Sequence, residues 1–421
     1  MISNSSVRTK KFFIIILPVL YILIALLLFS LVATKMIDRL PPTQNEISFE
    51  GANFNETLHS EILSRLALAQ NFTTNNLIAE DGFVYLYVSK SNNTLNSNQT
   101  NSEALSYALY WTASDRRHVL FNKELSFIEK YMQHPDKKYL MWRLEENRNA
   151  IGDGRNSATD AELRAIKALL VANSYWNDKT YEKKINEIAK SLENIAITSD
   201  KLFSSYAGVY ETGKVWKTED VWLSYADFTV FRDLAHRRGQ PWRSIYQNMK
   251  EAVLDSQLSS GLYQTELNKD RTYSSTLDAS NHSINSLWIM VRAAESEDKD
   301  LQDSARKALN FYKESYNEKN IIYTSYTSEG SPASTSDAPW TYALVGRAAI
   351  ALGDETFSNQ MIGKLITFQN MNQSSFFYGA FVEGSKEEPQ ATQFTIQESI
   401  ITLQAYIDKI GSHSLDEKRT S

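Results

Sequence analysis

Helical hydrophobic periodicity recurs along almost the whole chain after residue 54. Apolar residues return every three or four positions, which is typical of helices that bury one face. Short polar breaks join neighbouring segments into pairs, and longer polar segments separate the pairs. The pattern predicts twelve helices, over residues 55–69, 102–114, 119–132, 159–175, 178–194, 224–237, 241–257, 282–296, 301–317, 339–352, 355–370 and 394–409.

Twelve helices in six hairpins are what an (α/α)6 barrel requires. We therefore predict an all-α barrel over residues 54–412, after a stalk over 35–53 and before a polar tail over 413–421. An open helical-repeat solenoid also stacks helix pairs, so helix spacing alone leaves both architectures open. No repeated sequence motif is visible, which favours the barrel. Residues 83–88, FVYLYV, are the best candidate for a strand.

A segment without charge, residues 12–34, precedes the helices. It is long enough to cross a bilayer as a helix, which takes about 20 residues. Lys10 and Lys11 before it predict a cytoplasmic tail over residues 1–11, with the remainder of the chain outside the cell. A cleaved signal peptide is the alternative, although its apolar region usually has about 7–15 residues.

The composition excludes several classes of function. The net charge is −6 and no basic stripe is present, so nucleic acid is not an expected partner. The absence of cysteine suits an exported bacterial domain that depends on core packing. The histidines lack metal-ligand spacing and no phosphate loop is present, so neither a metal nor another cofactor is expected.

Residues 156–176 read NSATDAELRAIKALLVANSYW. Thr159 followed three positions later by Glu162 is the pattern of a capping box, with Asp160 in the first helical turn. The stretch also resembles the signature of glycoside hydrolase family 8, the bacterial endoglucanases and chitosanases. Residues 158–161 match that signature, whereas Glu162 replaces its second Asp. The resemblance implies that Asp160 binds the sugar at the cleavage point.

A second segment, residues 101–115 (NSEALSYALYWTASD), resembles the part of the family that carries the general acid. Glu103 occupies the position of that acid, and Tyr107 matches the family aromatic, but Ala104 replaces the usual Gly. The alternative is a plain helix start, in which Ser102 is the cap and Glu103 is favoured by the helix N-terminus.

A third segment, residues 276–288, resembles the part of the family that carries the catalytic base. Asp278 matches the base, whereas Leu277 and Asn281 replace the family Tyr and Arg. Two alternatives stay open. Asp278 is a helix-start residue without a catalytic role, or the base lies elsewhere in the chain, as it does in another subfamily. Aromatic side chains suit a sugar site because rings stack on pyranose faces. The candidates are Tyr107, Trp111, Trp142, Trp222, Tyr225 and Trp340.

The resemblance implies inverting hydrolysis of a β-1,4-linked polysaccharide by endo-cleavage. That reaction needs an acid for the leaving oxygen and a carboxylate about 6.5–9.5 Å away to activate water. A helix N-terminus lowers a carboxylate pKa, so Glu103 requires burial or a nearby anion such as Asp160 to act as an acid. The expected partners are an exopolysaccharide, the membrane and a membrane polysaccharide synthase. The alternative is a non-catalytic polysaccharide-binding or assembly protein on the same fold.

Overall fold

The computed structural model describes residues 56–89, 98–275, 282–384 and 389–420. The number and order of the predicted helices are confirmed within these ranges. The twelve helices are Glu56–Asn76 (α1), Ser102–Ser114 (α2), His118–Phe127 (α3), Asp160–Trp176 (α4), Lys179–Ile195 (α5), Phe228–Arg238 (α6), Trp242–Asp255 (α7), His282–Ala294 (α8), Lys299–Lys319 (α9), Pro339–Leu352 (α10), Glu355–Ile366 (α11) and Gln393–Thr420 (α12).

The helices form a closed double ring. The even-numbered helices α2, α4, α6, α8, α10 and α12 each pack against the next one, and α12 returns to α2. Each odd-numbered helix packs outside this ring as the partner of one inner helix, with α1 against α12. The architecture is therefore an (α/α)6 barrel. An open solenoid is excluded because α12 contacts both α1 and α2, which closes the ring.

The sequence of each helix explains its place in the rings. Inner helix α10 carries a single charge, Arg347, and almost all of its side chains are buried. Outer helix α5 buries Tyr181, Ile185 and Ile188 on one face and exposes lysines on the other. Burial on all sides is typical of a core helix, and a single apolar stripe is typical of a surface helix.

Each outer helix is followed by a turn that one β-bridge closes. In the turn after α11, Gly379 has a φ of +89°, and a Cβ there would lie 2.7 Å from the carbonyl oxygen of Leu68 in α1. These turns share a backbone geometry but not a sequence, so no repeated sequence motif reveals them. In the described residues the bridges are Ile78–Val84, Gln133–Leu140, Ile197–Phe203, Gln257–Tyr263, Tyr326–Pro332 and Gln369–Phe381.

Short antiparallel sheets collect at the end of the barrel where the inner helices begin. Strands β2, β4 and β11 lead directly into inner helices, and β7 does so through a 3-10 turn. We call this end the N-terminal face. The strands in the described ranges are Tyr87–Ser89 (β1), Gln99–Asn101 (β2), Arg143–Glu145 (β3), Ser157–Ala158 (β4), Tyr206–Val209 (β5), Val215–Lys217 (β6), Val221–Trp222 (β7), Glu266–Leu267 (β8), Tyr273–Ser274 (β9), Glu383–Gly384 (β10) and Pro389–Thr392 (β11).

Several predicted boundaries differ from the structure. Helix α3 ends early and continues as a π-helical turn over Ile128–Met132. Helix α12 extends to Thr420, through most of the segment predicted as a polar tail. The strand predicted over residues 83–88 is found at Tyr87–Ser89.

The N-terminal segments carry two predictions that the described residues do not cover. The predicted anchor over residues 12–34 and the stalk over 35–53 both lie outside the described ranges. Among the helices that are described, none combines the length and the apolar character that a membrane crossing requires.

Candidate active site

Glu103 lies in the first turn of α2, at the N-terminal face. Strand β2 leads into this helix and pairs with β3, which fixes the direction in which the chain enters. Asn101 is the N-cap, because its side-chain oxygen accepts a hydrogen bond from the backbone N–H of Ala104 at 2.7 Å. The cap predicted at Ser102 is therefore wrong by one residue, since Ser102 is the first residue of the helix.

Asp160 is the first residue of α4 and lies at the same face. The predicted capping box is wrong, because the backbone N–H of Thr159 donates to the carbonyl oxygen of Ser205 at 3.1 Å and is not available to Glu162. Asp160 instead pairs with Arg164 one turn further along the helix, with Oδ2 and Nη2 3.0 Å apart.

The structure brings Glu103 and Asp160 into electrostatic contact. Burial raises the pKa of Glu103 to about 7, and the negative charge of Asp160 contributes to the rise. The cation of Arg164 acts in the opposite direction on this pKa. A general acid must hold its proton near the working pH, so the surroundings of Glu103 suit that role despite the helix N-terminus.

Three aromatic side chains form a cluster at the same face. The ring of Trp222 lies 5.2 Å from that of Tyr206 and 5.4 Å from that of Tyr225, centroid to centroid. The pKa values of Tyr206 and Tyr225 are both raised, by burial first and also by the negative charges of Asp160 and Glu103. The predicted residue Tyr225 thus lies at the site. Tyr206 was not predicted, because it matched no family position and lies on a strand.

A further carboxylate, Glu266, lies on the side of the sheet that carries this cluster. Trp222 of β7 and Glu266 of β8 are directly paired residues of antiparallel strands, so their side chains point to the same side. The pKa of Tyr206 is raised by burial first, and then by Asp160, Glu103 and Glu266 in turn. Sequence reasoning did not single out Glu266, since its strand has two residues.

The other predicted aromatics are placed differently. Tyr107 and Trp111 are each 1% exposed, so neither ring is available for sugar stacking in this structure. Tyr107 instead supports the guanidinium of Arg164, which lies 3.9 Å from its ring centroid. Trp142 is half-buried beside the start of α2, where its carbonyl accepts a hydrogen bond from the N–H of Ser102 at 2.8 Å.

Glu162, which replaces an Asp of the family signature, is fully buried. Its Oε1 accepts hydrogen bonds from the hydroxyl of Ser157 at 2.5 Å and from the N–H of Leu140 at 3.1 Å. Burial raises the pKa of Glu162 to about 8. These contacts join α4 to β4 and to the loop before β3, which is a structural role.

A network of paired charges lies inside the barrel. Lys167 lies 2.9 Å from Glu295, which also binds Arg347. Although burial acts to raise it, the pKa of Asp227 stays well below its usual range because Arg292 and Lys167 are close. Buried charges persist when they are paired, as here. The members of this network are Lys167, Asp227, Arg292, Glu295, Arg347 and Glu398. Asp160 and Arg164 form a separate ion pair.

Asp278, the predicted base, lies outside the described residues. Its role stays a prediction, as do the roles of the other site residues. Within the described ranges, His, Asp and Glu side chains form no group of three that could hold a metal ion.

Solved structures with the same fold match most of this chain. A novel alpha-amylase from Clostridium perfringens is 22% identical, with a TM-score of 0.70 over 81% of this chain and 98% of its own. PssZ from Listeria monocytogenes is 14% identical, with a TM-score of 0.61 over 80% and 94%. Endo-beta-1,4-glucanase CMCax from Acetobacter xylinum is 14% identical, with a TM-score of 0.56 over 83% and 98%.

The sequence identifies the family. No curated protein matches the chain. Residues 70–382 match the family model of glycosyl hydrolases family 8, a range that includes Glu103, Asp160 and the aromatic cluster. The chain therefore belongs to glycosyl hydrolases family 8 and is a glycosidase.

Proposed function

We propose that this glycosidase cleaves a β-1,4-linked polysaccharide within its chain, with inversion, and that Glu103 is the general acid. The observation that carries the proposal is the environment of Glu103, whose pKa is raised to about 7 by burial and by Asp160. In inverting enzymes the second carboxylate activates water on the opposite side of the sugar. We assign that role to Asp278, and sugar binding at the cleavage point to Asp160.

The aromatic cluster supports a polysaccharide substrate. Tyr206, Trp222 and Tyr225 are all half-buried, so none of the three is sealed in the core. Pyranose rings present apolar C–H faces that stack on such rings. A row of aromatics beside the acid would hold a polymer across the face rather than a single sugar in a closed pocket.

Hydrolysis is tested with the full-length chain and its Glu103→Gln variant. Release of reducing ends is measured on β-1,4-glucan, xylan, partly acetylated chitosan and an α-1,4-glucan. The last substrate is included because a structural relative is described as an alpha-amylase. Turnover of a β-1,4 polymer by wild type alone supports the proposal, and turnover of only the α-1,4-glucan contradicts the linkage.

The stereochemistry and the alternative function have separate readouts. Proton NMR during hydrolysis of a β-1,4 polymer should show the α-anomer of the new reducing end first, and early β-anomer would contradict inversion. Binding of a polymer without turnover by wild type would favour the non-catalytic polysaccharide-binding alternative.

We also propose that the enzyme is anchored in a bacterial membrane and processes exopolysaccharide outside the cell, beside a polysaccharide synthase. The support is the uncharged segment over residues 12–34, which has the length of a membrane-spanning helix. Deletion of the gene should change the length of the secreted polymer, and the protein should fractionate with membranes. An unchanged polymer in the deletion strain would contradict the exopolysaccharide role.

A further inference from the structure

Arg164 lies at an unusual position for a cation, inside the barrel and next to the sugar-binding candidate. It follows Asp160 by one helical turn of α4, and its side chain is 5% exposed. Its Nη2 lies 3.0 Å from Oδ2 of Asp160. An arginine with so little solvent contact normally needs a fixed partner to offset the loss of hydration.

Two neighbouring helices, α2 and α8, also contact the guanidinium of Arg164. Its Nη1 donates a hydrogen bond to the hydroxyl of Ser106 at 3.1 Å, and its Cζ lies 3.9 Å from the ring centroid of Tyr107. Both residues are on α2, within about one turn of Glu103. The ring centroid of Trp288 in α8 also lies 5.8 Å from Cζ of Arg164.

These contacts connect the two carboxylates of the site. Arg164 forms an ion pair with Asp160 at the start of α4 and contacts Ser106 and Tyr107, which lie within about one turn of Glu103. A planar guanidinium can bind a carboxylate, a hydroxyl and a ring at once, whereas a lysine ammonium lacks that geometry. The position of Asp160 relative to Glu103 therefore depends on Arg164.

We propose that Arg164 is a positioning residue for hydrolysis, which holds Asp160 at the N-terminal face and offsets its charge beside Glu103. This inference rests on the proposed function, in which Glu103 is the acid. Without the cation, Asp160 would leave an unbalanced negative charge beside the acid.

The charged and titratable groups around Glu103 indicate the direction of the effect. Burial and Asp160 raise its pKa, Arg164 lowers it, and Glu398 on α12 raises it. Tyr107 on α2, Tyr206 on β5 and Tyr225 before α6 interact with the same carboxyl. Removal of the Arg164 charge should therefore raise the pKa of Glu103.

The test measures this pKa directly in the full-length protein. The Glu103 carboxyl is titrated by carbon NMR, with its signal assigned by loss in Glu103→Gln. Arg164→Met should raise the pKa by about one unit or more, because a nearby opposite charge typically lowers a carboxyl pKa by that amount. Arg164→Lys should stay closer to wild type in pKa, yet lose kcat on the order of 100-fold through misplacement of Asp160.

Lys167→Met is the matched control. Lys167 lies one turn further along α4 and is also paired, but with Asp227 and Glu295. It should leave the pKa of Glu103 unchanged. An equal shift in both variants, or no shift in Arg164→Met, would overturn the proposal.

Two further results separate this proposal from its premise and from misfolding. If wild type shows no turnover but Arg164→Met still shifts the pKa, hydrolysis fails while the charge-offsetting role stands. The double variant Arg164→Met/Asp160→Asn removes both charges of the pair, so it should fold if the single variant does not. It should also lower the pKa of Glu103 below that of Arg164→Met, and an unchanged value would contradict the coupling.

Discussion

Ser157 donates a 2.5 Å hydrogen bond to Oε1 of Glu162, and both side chains are fully buried. The family signature has an Asp where Glu162 stands, so the extra methylene reaches a partner on β4. The carboxyl of Glu162 is therefore bound within the core, where its protonation affects the stability of the fold. This gives stability a pH dependence with a defined sign.

Glu162 should make the folded state less stable as pH rises. Its pKa is about 8 in the fold against 4.5 ordinarily, so the folded chain binds more protons between these values. The contribution is fully present below pH 4.5 and is lost as pH rises through 8, at most at about 1.4 kcal/mol per unit. Urea unfolding of Glu162→Gln should show a flatter profile than wild type. Glu251→Gln, at an exposed position, is the control and should reproduce the wild-type slope.

Hydrolysis should fall on the alkaline side of pH 7. The acid must be protonated, and the pKa of Glu103 is about 7, so kcat/KM should decline as pH rises through that value. Asp160→Asn removes an anion that raises this pKa, so the alkaline limb should move to lower pH. A limb that stays in place in Asp160→Asn would contradict electrostatic coupling of the two residues.

The second carboxylate can be identified by comparing Asp278→Asn with Glu266→Gln. We expect Asp278→Asn to lower kcat by about 100-fold or more, as loss of a general base does. Glu266→Gln should mainly change KM, because Glu266 lies on the side of the sheet that carries the aromatic cluster. A large loss of kcat in Glu266→Gln with little in Asp278→Asn would move the base to Glu266.

Tyr206→Ala should weaken polysaccharide binding. Tyr206 contacts Trp222 and Tyr225 at the N-terminal face, so its loss removes a stacking surface and loosens two others. We expect KM to rise about tenfold, which corresponds to about 1.4 kcal/mol. Tyr210→Ala is the matched control, because Tyr210 lies on the same hairpin with 56% of its surface exposed. An equal rise of KM in both variants would contradict a specific role of the aromatic cluster in sugar binding.

Gly379→Ala should destabilise the barrel by about 1–3 kcal/mol. The residue combines a φ of +89° with a Cβ position 2.7 Å from the Leu68 oxygen, so strain and collision add. Gly213 has a φ of +81° but nothing within 4 Å, so Gly213→Ala isolates the backbone cost. Thermal unfolding should place Gly379→Ala well below Gly213→Ala. Equal melting temperatures would mean that the contact with α1 contributes nothing.

Local patterns predicted the helices well, because each helix buries a face whose period is visible in sequence. The ring itself was inferred from the number of hairpins, and only contacts such as that of α12 with α1 establish its closure. The six bridged turns were not predicted, since glycine, lysine and aromatic residues interchange in them. In three of these turns a glycine, at position 82, 261 or 379, packs closely against the next outer helix, and such contacts between distant segments have no local sequence pattern.

The site was partly predictable for a related reason. Glu103, Asp160 and Tyr225 lie where chain entry into an inner helix places them, and motifs at helix starts are visible in sequence. Tyr206, Arg164 and Glu266 come from a strand, a helix interior and a two-residue strand. Their roles follow from pairing between distant segments, which no local pattern reports. Trp111 lies in the same motif as Glu103 but is buried in the core, so a position within the motif does not by itself place a side chain at the site.

The pairing of α1 with α12 has a consequence for the order in which the protein can fold. Of the described helices, α1 is synthesised first and α12 last, so the face of α1 that packs on α12 lacks this partner while the intervening residues are synthesised. Contacts between segments so far apart form slowly, because a long loop must close before they contribute. The newly made chain thus keeps this apolar face of α1 exposed until α12 has left the ribosome, and we expect the exposed face to be prone to aggregation during that interval.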